Sequence, residues 1–250
     1  MNVIYKAIVS SDWNECLAPC RPFDCISFHF PEVEPSLTTV FKQYTSNQIS
    51  LGKAAHKIQN LLPAPITPEK MDTYLDKTFV TFKGVPELIK WCANHNVLFM
   101  INTTGMIGYF QRVFARNLLP RIPAISAHPM IRYPERDSDP SYIYELFETW
   151  HKGQHTETIA RSMDINAEKI ILLGDSGGDG PHFKWGAEKG AFLISSMTKP
   201  SLDNYCREKD VAIDLRFGPD YSKGEPYIFQ KEIQVDFRDL TTILSEIVNR

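Results

Sequence analysis

The chain has 250 residues, 43% of them apolar and 23% charged, an ordinary soluble composition long enough to bury a substantial core. A net charge of −3 gives no field that would gather nucleic acid or an anionic membrane surface, and no apolar run approaches a membrane span. Five cysteines (Cys16, Cys20, Cys25, Cys92 and Cys206) are an odd number without tight spacing, and Lys6 interrupts the apolar start where a signal peptide would continue, so a cytoplasmic protein with reduced thiols is expected.

Val3 to Val9 reads as a strand that runs into Ser10-Ser11-Asp12, so an acid closes the first strand. From about residue 20 to 79 the character changes. Pro19, Pro22, Pro31 and Pro35 break up the start, and helical patterns follow at Leu37–Tyr44, Leu51–Leu62 and Pro68–Phe79. In the second, Ala54, Ala55, Ile58, Leu61 and Leu62 mark one apolar face; Thr67-Pro68 reads as an N-cap with proline at the first helical position. Strand and helix then alternate: a helix at Gly84–Asn94, a buried strand at Val97–Ile101 and a helix at Ile107–Leu118. A short β-hairpin is expected over Ala124–Tyr144, turning at Asp137–Pro140, then a helix at Gly153–Met163. A strand at Ile170, a helix near Phe183–Lys189, strands at Ala191–Ile194 and Val211–Leu215, and a helix at Leu240–Val248 complete the order. The alternation predicts an α/β, Rossmann-like parallel sheet core (residues 1–19 and 80–250) with a small helical segment (20–79) inserted after the first strand.

The run Ile170-Ile171-Leu172-Leu173-Gly174-Asp175-Ser176-Gly177-Gly178-Asp179 is the most informative stretch. A strand apolar on both faces turns, through glycines, into two carboxylates four positions apart, a pairing of hard oxygens that suits Mg²⁺ with a phosphorylated substrate. Three predicted strand ends carry polar groups together: Asp12, the pair Thr103-Thr104, and Asp175 with Asp179, while Lys152 precedes a helix leading into the Ile170 strand. Ligands of open α/β sheets bind beyond the carboxyl ends of the strands. A carboxylate nucleophile, hydroxyls, a lysine and metal-holding acids would complete a phosphoryl-transfer site.

In the order and spacing of these elements the chain resembles the haloacid dehalogenase superfamily of hydrolases, most nearly its phosphoserine phosphatase and methylthiopentenyl-phosphate phosphatase type. The resemblance implies that Asp12 attacks phosphorus and ligates Mg²⁺, with the backbone carbonyl of Asn14 and the carboxylate of Asp175 as further ligands. It implies that Asp179 orients Lys152 or a metal-bound water, that Thr103, Thr104 and Lys152 hold phosphate oxygens, and that residues 20–79 form a cap. The implied partner is a small phosphorylated metabolite.

The first motif departs from that family's usual pattern. It reads Asp12-Trp13-Asn14-Glu15-Cys16, where Asp-x-Asp-Gly-Thr is usual. Asn14 replaces the acid that protonates the leaving alcohol and later activates water, a contribution of about 10²–10⁴ in rate. Glu15 could supply the missing proton transfer or be neutral drift. Three alternatives therefore stand beside a phosphatase: a catalytically impaired phosphometabolite-binding protein, a metal-independent dehalogenase, or a phosphonatase-like enzyme using Lys53, Lys57 or Lys70. Cys16, Cys20, Cys25 and His29 fit no standard zinc spacing, and His151 and His155 are expected to be exposed histidines of a first helical turn.

Overall fold

The structure is a computed structural model describing residues 3–45, 48–221, 224–225 and 228–249. Strand β1 (Ala7–Ser11) is followed by helices α1 (Asp24–His29), α2 (Glu34–Thr45), α3 (Leu51–Leu61) and α4 (Pro68–Thr78) before α5 (Val85–Asn94) enters β2 (Val97–Met106). Then come α6 (Ile107–Ala115), β3 (Ala124–His128), β4 (Tyr142–Glu145), α7 (His151–Ser162), β5 (Ile170–Gly174), α8 (Gly180–Lys189) and β6 (Phe192–Ser196). Helix α9 (Pro200–Glu208), β7 (Leu215–Phe217), α10 (Phe229–Glu232) and α11 (Leu240–Asn249) close the chain.

The seven strands form one sheet in the order β4-β3-β2-β1-β5-β6-β7, and every pairing is parallel. From β1 the chain builds outward through β2, β3 and β4, then returns to place β5 on the other side of β1. That reversal opens a crevice beyond the carboxyl ends of β1 and β5, where ligands of such sheets bind. The sheet is apolar on both faces because helices cover both. Val9, Phe99, Ile101, Ile171 and Leu173 join the core on one side, and Ile8, Leu98, Met100, Ile170 and Leu172 join that on the other with Phe183 of α8. Thr67 caps α4 with Pro68 in its first turn, and Ser50 caps α3 in the same way. All five cysteines are free. Among the described residues no helix is long and apolar enough to cross a membrane.

The expected hairpin over Ala124–Tyr144 is not formed. β3 and β4 run parallel, with Ala124 opposite Tyr142 and Ile125 opposite Ile143. The intervening segment is held against α6 instead of turning back on β3. Gln111 of α6 donates to the Tyr133 carbonyl (3.0 Å), accepts from the Tyr133 N–H (2.7 Å), and donates to Asp139 (2.9 Å). The Asp137–Pro140 turn seen in the sequence is therefore part of a crossover held against α6. Helices α1, α9 and α10 were not expected, and the last strand falls at Leu215–Phe217 rather than Val211–Leu215.

Leu172 is fully buried in β5 and reaches α8, where a Cβ built on Gly186 would stand 2.5 Å from its Cδ1. Leu172→Ala should cost about 2–5 kcal/mol of stability, measured as a lowered urea midpoint at unchanged slope.

Candidate functional site

Asp12, one residue beyond β1, donates its backbone N–H to the Leu173 carbonyl (2.9 Å), which ties it to β5 across the crevice. Asp175 follows β5 directly, and Asp179 folds back upon the same turn. Its Oδ2 accepts the backbone N–H groups of Asp175 (3.0 Å) and Ser176 (3.3 Å). Gly174 is needed for this: a Cβ there would lie 2.7 Å from the Asp179 side chain. Ligand oxygens of Asp12, Asp175 and Asp179 lie within 4.8 Å of one another, all three residues buried.

Lys152, in the first turn of α7 and 1% exposed, reaches into this cluster. Its Nζ donates to Asp12 Oδ1 (3.1 Å) and Asp179 Oδ1 (2.6 Å). Burial works against the Lys152 ammonium, yet Asp12 and Asp179 hold its proton more tightly than usual. For Asp179 burial likewise opposes ionisation, and Lys152 outweighs it, keeping the carboxyl below its ordinary range. Asp12 is raised because burial exceeds the help it receives from Lys152. Asp175 is raised furthest, again by burial, only partly relieved by Lys199.

Lys199 went unnoticed in the sequence. It sits on the loop after β6, and its N–H donates to the Asp175 carbonyl (2.8 Å). Its Nζ meets Asp175 Oδ2 (2.7 Å) and Glu15 Oε2 (2.6 Å). Nothing in its local sequence marked it, since α9, which it precedes, was itself unforeseen. Glu15 has a left-handed backbone (φ 59°), the conformation that the usual glycine takes without cost, so the turn of the first motif is kept by a residue less suited to it.

A polar cluster behind the site sets the position of α7. Asn102 Nδ2 donates to the Lys152 carbonyl (2.9 Å), Thr156 Oγ1 donates to the same carbonyl (2.9 Å), and Thr156 also pairs with Ser10 (2.9 Å) and His182 Nε2 (3.1 Å). His182 is fully buried, and burial followed by the nearby Lys152 charge pushes its imidazole down to about 3.

A cavity of about 410 Å³ opens over Asp12, Asn14, Thr104, Lys152, Asp175 and Asp179, with Phe41, Tyr44, Lys53, Glu148 and Tyr205 also lining it. Of the expected phosphate-holding hydroxyls, Thr104 lines this cavity, whereas Thr103 is buried and turns its Oγ1 to Asn14 Oδ1 (3.2 Å). The histidine pair is half-buried rather than exposed, and both rings have structural work: His155 Nδ1 pairs with Ser126 (2.8 Å), and His151 Nδ1 accepts the Phe147 N–H (3.1 Å). Cys16 is fully buried, and burial pushes its thiol well up, the setting of an inert structural cysteine. Trp13 is fully buried against Phe79 and Phe110, a core wedge. Among the described residues the aspartate trio is the one His, Cys, Asp or Glu group close enough to hold a metal, so no cysteine cluster forms with His29.

Solved structures share this architecture. A phosphoserine phosphatase bearing a phospho-aspartyl intermediate analogue superposes with a TM-score of 0.66 at 17% identity, over 96% of this chain and 99% of the other. A substrate-bound phosphoserine phosphatase gives 0.65 at 20% identity, over 95% and 98% of the two chains. A HAD family hydrolase from Salmonella enterica serovar Typhi gives 0.63 at 17% identity, over 86% and 68%. No family model matches the sequence, and no curated protein matches it. The fold is that of phosphoserine phosphatases and HAD (haloacid dehalogenase) family hydrolases.

The depressed His182 has a consequence for stability. Between about pH 3 and 6.5 the unfolded imidazole binds a proton that the folded one refuses, so stability falls as pH drops through this window. At one pH unit per about 1.4 kcal/mol, lowering the pH from 6.5 to 5 should remove about 2 kcal/mol. His182→Gln should lose that increment of acid sensitivity, read from urea midpoints at the two pH values.

Proposed function

We propose that this chain is a Mg²⁺-dependent phosphatase of a small phosphorylated metabolite, working by phosphoryl transfer to Asp12. The observation that carries the reading is the buried Asp12–Lys152–Asp179 bridge beside Asp175, at the floor of a cavity beyond the strand ends.

The donor set suits a hard divalent cation. Asp175 Oδ1 is buried and accepts no hydrogen bond among the described residues, and the upward displacement of Asp12 and Asp175 marks a cluster short of positive charge. Asp12, Asp175 and the Asn14 backbone carbonyl would hold the ion, with Asp179 locking Lys152. When bound, Mg²⁺ would offset the charge of the phosphoryl group and lessen its repulsion by Asp12.

The protein's own residues then have distinct tasks. Asp12 attacks phosphorus in line with the leaving oxygen, forming an aspartyl phosphate that water hydrolyses. Lys152 and Thr104 steady the equatorial oxygens, and Thr103 acts through Asn14. Helices α1–α4, within residues 20–79, serve as a cap that excludes bulk water. Glu148, just ahead of α7, accepts the N–H groups of Leu51 (3.1 Å) and Gly52 (3.2 Å), fastening the start of α3 to the segment that carries Lys152. Asn14, an amide where proton transfer is needed, favours a second reading: a protein that binds a phosphometabolite and does not turn it over.

Wild-type protein should release nitrophenol from p-nitrophenyl phosphate with Mg²⁺ and lose that activity with EDTA, while Asp12→Ala should fall to the uncatalysed rate. Silence in the wild type with retained phosphate binding by calorimetry would replace the phosphatase by the binding protein.

A further inference from the structure

The loop after β1 places Asn14 two residues from Asp12, facing the same cavity. Its amide is pinned at both ends, Nδ2 donating to the Cys20 carbonyl (3.2 Å) and Oδ1 accepting from Thr103 (3.2 Å). An amide carries no proton to transfer at ordinary pH. The other carboxylates on the cavity wall are engaged elsewhere. Glu15 lies 2.6 Å from Lys199, and both oxygens of Glu148 accept backbone N–H groups of α3. No histidine lines the cavity among the described residues. Tyr44, whose phenol is raised by burial, is a weaker acid than a carboxylic acid, and Lys53 is exposed. Outside the Asp12, Asp175 and Asp179 cluster, no disengaged carboxyl or imidazole lines the cavity among the described residues.

We infer that this site turns over phosphoryl donors whose leaving group departs as a stable anion, aryl phosphates above all, and leaves simple alkyl phosphates such as O-phosphoserine nearly untouched. The inference rests on the phosphatase reading above. In the first step an Asp12 carboxylate oxygen bonds to phosphorus as the phosphorus–oxygen bond to the leaving group breaks. The electron pair leaves with that oxygen as an unprotonated phenolate, enolate or carboxylate. In the second step water attacks the aspartyl phosphate, Asp12 departs as carboxylate, and the water's proton ends on the released phosphate. Neither departure requires a proton from the protein. The wall agrees with a flat leaving group: Phe41 and Tyr44 of α2 and Tyr205 of α9 line the cavity.

The test is kcat/KM, with Mg²⁺, for substituted phenyl phosphates from phenol to dinitrophenol, with phosphoenolpyruvate, acetyl phosphate and O-phosphoserine, in wild type and Asn14→Asp. This ratio reports the first phosphoryl transfer and is blind to slow hydrolysis of the intermediate. Wild-type values should climb steeply with leaving-group acidity, and Asn14→Asp should flatten the series by raising the alkyl ester about 10²–10⁴-fold. Turnover of O-phosphoserine by the wild type at the nitrophenyl rate, or a flat aryl series, would overturn the inference and leave the phosphatase intact. No phosphate from any donor with either protein would overturn the phosphatase reading itself. Should Asn14→Asp fail to fold, the slope of the wild-type series decides alone.

Discussion

One buried ammonium organises this molecule. Lys152 lies between Asp12 and Asp179, nearly sealed from water, and both carboxylates need it. Withdrawing such charges from water is costly, and removing one partner of a buried set typically costs about 3–5 kcal/mol because the others are left uncompensated. The bridge survives only if three separate stretches of chain meet within hydrogen-bonding distance. Parallel registry brings the ends of β1 and β5 together, and the turn after Gly174 brings Asp179 back. Asn102 and Thr156, both donating to the Lys152 carbonyl, set α7 from behind.

A second cation extends the same principle outward. Lys199 joins Asp175 to Glu15, so the atypical first-motif loop is tied to the end of β5 by charge as well as backbone. Glu15 holds a left-handed conformation there, a strain of order 1–3 kcal/mol for a side chain that glycine would avoid. The ion pair with Lys199 opposes that cost and engages the carboxylate. Glu148 shows the same economy of charge, both of its oxygens being taken by backbone N–H groups at the start of α3. The departures at Asn14 and Glu15 are thus each absorbed by a partner, and the cluster of Asp12, Asp175, Asp179 and Lys152 is kept.

Much of this was legible in the chain. The apolar runs before Asp12, Asn102 and Asp175 identify buried parallel strands, and the glycines after Leu173 mark a turn with close backbone approach. The segment between Cys20 and Phe79 was readable as helical because its apolar positions recur at helical spacing and Thr67-Pro68 caps a helix. The expected hairpin failed because local turn residues carry no information about α6, which holds Tyr133 and Asp139. His151 and His155 were misread for a related reason: their exposure depends on Ser126, Tyr144 and Phe147, which lie outside the helix that carries the two histidines.

The alternation of strands and helices, the carboxylates and the lysine follow from sequence alone, because periodicity, turn chemistry and motif spacing are local properties; the order of the strands in the sheet does not. Only the tertiary structure decided which groups remain free to act. Asn14 is held by Thr103 and Cys20, Glu15 is taken by Lys199, and Thr104 rather than Thr103 faces the cavity. The reason is that hydrogen bonds and ion pairs between groups far apart in the chain depend on distances of a few ångströms, which no local pattern encodes.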